Sequence, residues 1–147
     1  MREPMPIVLQ HWRHLSDLYR QPTDSGYATA AWLPRLGPTS FLLWGRLANE
    51  LETHGPDVTV DLIEIAHSLG LGEPGKHGSA LPRALKRLRR FRLTRPIPGV
   101  DAAVLVRVHA PPVGLATFRQ LPAHVQRMHL EIFGVRTDMP SELTDPW

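Results

Sequence analysis

A chain of 147 residues, 42% hydrophobic and 21% charged, is long enough for one real core, and its composition excludes both a wholly disordered chain and two large domains. It contains no cysteine, which excludes disulfides, thiolate zinc sites and cysteine nucleophiles. The net charge is +3, but Lys76, Arg83, Lys86, Arg87, Arg89, Arg90, Arg92 and Arg95 hold eight of the seventeen basic charges, so the rest of the chain stands at 3 − 8 = −5.

Positive charge gathered in one stretch is the footprint expected of a polyanion-binding surface. No run approaches 18 apolar residues, and the start MREPMPIVLQHW lacks the apolar core of a secretory signal, so a cytoplasmic protein with no membrane partner is expected.

In chain order, Val8, Trp12, Leu15 and Tyr19 recur at spacings of four, three and four and predict an amphipathic helix over 7–21, stopped by Pro22 and the TDSG cluster. Residues 27–36 read as a short helix or an ordered connection. After Gly37-Pro38, a helix capped by Thr39 or Ser40 carries Phe41, Leu43, Trp44, Leu47, Ala48 and Leu51 on a broad apolar side and ends at His54-Gly55-Pro56. Val58-Thr59-Val60 is a minimal strand. Asp61 then caps a helix with Glu64 at the capping-box spacing, and Gly70 to Gly72 closes it.

The basic stretch follows as GSALPRALKRLRRFRLTR. Leu81, Leu85 and Leu88, widened by Ala84 and Phe91, form its buried side; Ser79, Arg83, Lys86, Arg87 and Arg90 share the other. Pro82 fits only in the first turn, so the helix is expected to begin near Ser79. Residues 93–95 and 102–108, the latter alternating through Val104, Val106 and Val108, predict two strands across a Pro/Gly loop. Residues 111–121 read as a loop, 122–133 as a helix, and the end as an irregular tail.

The order helix, short strand, helix, turn, helix, hairpin, with DLIEIAHSLGLG followed by GSALPRALKRLRRFRL, resembles the winged helix-turn-helix of bacterial, especially actinobacterial, DNA-binding proteins. The expected fold class is mainly α with a small β-hairpin (α+β). It divides into an N-terminal helical extension (1–37), a winged-helix domain (38–110), a C-terminal loop and helix (111–134) and a tail (135–147). The resemblance implies a nucleoid-associated transcriptional regulator of bacterial or phage type. Its basic helix would lie in the major groove of double-stranded DNA, with 95–104 as the wing. Ser79, Arg83, Lys86 and Arg87 are then the expected base readers. Lys76, His77, Arg90, Arg95 and Arg107 are the expected backbone or wing contacts. The 70–78 loop is longer than the tightest helix-turn-helix turns. The alternative is an adaptor that offers the same scaffold to an acidic protein partner. RNA binding ranks lower because the aromatic strand motif of the common single-strand module is missing.

The terminal apolar segments suggest a homodimer, with Trp12, Leu15, Val125, Met128 and Ile132 at its interface. His11 with His14, and His124 with His129, fall at no recognised metal spacing, so neither metal nor cofactor is expected. Asp61 and Glu64 are explained by capping and the glycines form no phosphate loop. No enzyme is expected.

Overall fold

The structure, a computed structural model, describes residues 4–72 and 80–135. The described residues form an α+β fold of six α-helices and a four-stranded mixed sheet. The strands are β1 (Pro6–His11), β2 (Asp57–Asp61), β3 (Thr94–Pro96) and β4 (Ala103–Val106), in the order β2-β1-β4-β3. β1 runs antiparallel to β2, with Leu9 opposite Val58, and parallel to β4, with Leu9 also opposite Val104.

The amino-terminal segment differs from the expected helix. Residues 6–11 are a central strand, and only Leu15–Tyr19 turns helically, as a 3-10 helix. A spacing of four and three over a short apolar run does not by itself separate helix from strand. Here Ile7 and Val8 are β-branched, and a strand position between two partners satisfies both backbone edges. Residues 1–37 are therefore not a helical extension, since β1 is the strand that joins β2 to the β3–β4 hairpin.

The helices are α1 (Leu33–Leu36), preceded by a π-helical turn Ala28–Trp32, then α2 (Pro38–His54), α3 (Leu62–Ser68), α4 (Ala80–Arg90), α5 (Leu115–Gln120) and α6 (Ala123–Phe133). α2 starts from Gly37, not Thr39 or Ser40: Gly37 takes φ +80°, and Pro38 occupies the first helical position, where its missing N–H costs nothing. Leu43, Trp44, Leu47, Ala48 and Leu51 bury its inner side, and Trp44 Nε1 donates to Arg107 O at 2.8 Å. Asp61 caps α3 as expected, with Oδ1 accepting from Ile63 N at 3.0 Å. α5 occupies part of the stretch expected to be a loop.

The carboxyl-terminal helix packs on its own chain. Phe133 and His129 of α6 are fully buried; the Phe133 ring meets Tyr19 and Tyr27 edge-on, and Tyr27 Oη lies 2.8 Å from His129 Nδ1. This corrects part of the expected dimer interface. Trp12 and Val125 are 1% and 2% exposed within one chain, so neither is available to a second copy. Met128 and Ile132 pack in part against the same core, and Leu15 is half-buried. Among the described residues no helix is long and apolar enough to cross a membrane.

Candidate nucleic-acid interface

α4 is seated by three buried residues, Leu81, Ala84 and Leu88, which face α2 and the core. Burying two leucines contributes on the order of 2 kcal/mol each. Ala84 is small enough for close approach, and its carbonyl accepts a long 3.4 Å bond from Ser40 Oγ of α2. At 100° per residue the remaining positions occupy one outward arc: Pro82, Arg83, Lys86, Arg87, Arg89 and Arg90 are all exposed. Five of these six are cations and none is acidic, so the arc carries a single sign of charge.

Two hollows flank this arc. One, of about 450 Å³, is lined by Arg83, Arg87 and Ala80 of α4 facing Gly37, Pro38 and Thr39 at the start of α2. The other, of about 430 Å³ and open to solvent, is lined by Lys86, Arg89, Arg90 and Arg92. Arg89 and Arg92 contribute to the cationic surface although neither is among the expected contact residues. Both stand in the charge run itself; Arg89 lies at the edge of the helical arc, and Arg92 lies beyond the helix end.

The expected contact residues separate into groups. Arg83, Lys86 and Arg90 lie along the middle of the exposed arc. Arg90 also holds its guanidinium 5.9 Å from the centre of the Phe91 ring. Arg87 is exposed, yet its Nη1 donates to Leu36 O at 3.2 Å, so it ties α4 to the end of α1. Lys76, His77 and Ser79 lie outside the described residues.

Arg95 and Arg107 differ from the expected wing contacts. They are 7% and 6% exposed, with guanidinium carbons 5.4 and 4.4 Å from the Trp12 ring centre. Arg107 Nε also donates to Arg92 O at 2.7 Å. The period of two that puts Val104, Val106 and Val108 on one side gave no reason to bury Arg107; the face it points to is covered by Trp12 from the amino-terminal segment. The loop between β3 and β4 is closed by Ile97 N donating to Ala103 O at 3.1 Å. That loop, residues 97–102, carries Asp101 and no cation.

The end of α4 is fixed by backbone bonds. Arg92 N donates to Arg89 O and Leu93 N to Leu88 O, each at 3.0 Å, and Arg92 takes φ +59°. This is the left-handed helix stop that usually falls on glycine. α3 ends the same way, with Gly70 at φ +74° and Leu71 N donating to Ala66 O. At the end of α4 the strained position retains a cation.

Comparison of the chain with family models, with curated proteins and with solved structures finds no match.

Proposed function

We propose that this protein binds double-stranded DNA sequence-specifically, as a transcriptional regulator of winged helix-turn-helix type, with α4 in the major groove. The observation that carries the reading is the exposed arc of α4, which offers Arg83, Lys86, Arg87, Arg89 and Arg90 from a rigid, core-seated helix with no acidic residue among them. A helix fits the width of the major groove, and Arg or Lys donate to guanine O6 and N7 there. The order α2, β2, α3, α4, β3–β4 agrees with the helix-strand-helix-helix-hairpin order of that architecture. Within it Arg83, Lys86 and Arg90 face the groove floor. Arg89 and Arg92 reach phosphates, and Arg87 holds the helix to α1.

The hairpin plays a smaller part than in a protein whose wing enters the minor groove, because its loop lacks a cation and its two arginines are packed on Trp12. Sequence discrimination is thereby concentrated on α4. Selection of bound duplexes from a random pool tests the proposal. The wild-type chain should enrich a defined site, and Arg83→Ala or Lys86→Ala should change the preferred base at one position at a cost of roughly 1–3 kcal/mol. Recovery of no preferred sequence would remove base reading and favour the acidic-partner alternative.

A further inference from the structure

Three side chains unrelated by any sequence spacing meet beside the central strand. His11 ends β1, Asp17 lies in the 3-10 helix, and His109 follows β4. Backbone bonds fix all three. His11 N donates to Pro56 O at 3.3 Å, Asp17 N donates to His14 O at 3.0 Å, and His109 pairs with Pro22 in a single antiparallel bridge.

His11 Nε2 lies 3.3 Å from Asp17 Oδ2, and His109 Nδ1 lies 3.1 Å from Asp17 Oδ1. One potential ligand atom from each residue falls within 4.8 Å of the others. In a tetrahedral zinc site with bonds near 2.0–2.2 Å, neighbouring ligand atoms are about 3.3 Å apart. Each imidazole–carboxylate separation is close to that length, one to each oxygen of Asp17, so the carboxylate stands between the two imidazoles with all three residues in reach of one ion. His11 Nε2 is buried, with the Asp17 carboxylate 3.3 Å away as an ion-pair neighbour but in no hydrogen-bond geometry within the described residues. A buried imidazole nitrogen thus shares one centre with a carboxylate and a second imidazole.

The carboxylate is pre-set as well. Asp17 Oδ2 accepts from His14 N at 3.1 Å in a reciprocal cap, the kind of outer support that orients a metal ligand. On the open side His11 and His109 line a cleft of about 250 Å³ together with Glu52, Gly55 and Pro56. That cleft has room for a water as a fourth ligand.

We propose that His11, Asp17 and His109 bind one divalent transition-metal ion, with zinc the best fit. Two imidazoles and one carboxylate suit zinc and its neighbours, whereas calcium and magnesium require oxygen-rich shells. A bound ion clasps the amino-terminal strand to the segment after β4, far from any need for cysteine. Histidine spacing along a single helix cannot pair residue 11 with residue 109, which meet only in the folded chain.

Cobalt(II) titration of the full metal-free chain provides the test. The expected result is one ion per chain, visible bands of a four-coordinate ion, displacement by zinc, and a melting temperature raised by zinc. His11→Gln and His109→Gln should each weaken binding by about 10-fold or more, while His124→Gln, on the exposed side of α6, should leave it unchanged. Circular dichroism establishes that each variant is folded, and the zinc-induced rise in wild-type melting temperature is read without any variant. Affinity no better than millimolar, or equal binding by the wild type and by folded His11→Gln or His109→Gln, would overturn the proposal.

Discussion

The guanidinium carbon of Arg107 lies 4.4 Å from the centre of the Trp12 ring, a contact that joins the segment after β4 to the end of β1. Around it Arg107 Nε donates to Arg92 O, and Arg107 O accepts from Trp44 Nε1. One residue thus links the end of α4, the sheet and α2. Arg107→Ala removes the cation–π contact and leaves the Arg92 carbonyl without that donor, a loss of about 2–3 kcal/mol. Thermal denaturation should show a fall of roughly 5–10 °C. The DNA affinity of the folded fraction should stay within about 2-fold of wild type, because a buried guanidinium makes no phosphate contact.

Arg92 adopts a left-handed conformation in which an L side chain costs about 1–2 kcal/mol and glycine almost nothing. Part of this gain is cancelled by the greater freedom of glycine in the unfolded chain. Arg92→Gly should therefore stabilise the protein by about 0.5–1 kcal/mol in urea denaturation, with unchanged m. A loss of stability would mean that the side chain contributes more to the fold than its exposure implies.

Leu88 is fully buried under α4, and Lys86 beside it is exposed. Leu88→Ala should cost about 2–5 kcal/mol through lost burial and a residual cavity. Lys86→Ala should leave stability within about 0.5 kcal/mol and act on DNA binding alone. Parallel denaturation and binding curves for the two variants check this separation of seat from surface.

Burial pushes the Tyr27 phenol well above the ordinary tyrosine range, and the hydrogen bond from Val113 N, 3.0 Å long, pulls it back only in part. The folded state therefore keeps a proton that an unfolded tyrosine releases near pH ~10, so stability is intact below that pH and falls as pH rises above it. In a Tyr19→Phe variant, where Tyr27 is the remaining tyrosine, the tyrosinate absorption should appear together with alkaline unfolding. Absorption that rises near pH ~10 while the chain is still folded would contradict the buried placement.

The legible part of the fold was the part written in local chemistry. Asp61 as a cap, Gly70 as a stop, the 3.6-residue period of Leu81, Ala84 and Leu88, and the alternation of Val104 and Val106 all specify their elements through neighbours a few residues away. The illegible part depended on partners distant in the chain. Residues 6–11 become a strand because β2 and β4 flank them, and Arg95 and Arg107 are buried because Trp12 covers them. The same limit applies to the sites. The cationic arc of α4 is local and was visible in sequence, whereas His11, Asp17 and His109 are brought together by the parallel pairing of β1 with β4 and by the bridge between Pro22 and His109.

On the proposed function the cationic surface at α4 neutralises DNA phosphates, and the dependence of duplex affinity on salt reports that neutralisation. For about six phosphate contacts, log K should fall against log salt with a slope near −5, and Arg89→Ala with Arg92→Ala should reduce the magnitude of that slope by about 2. Absence of duplex binding at low salt, or a slope that the double substitution leaves unchanged, would contradict the account.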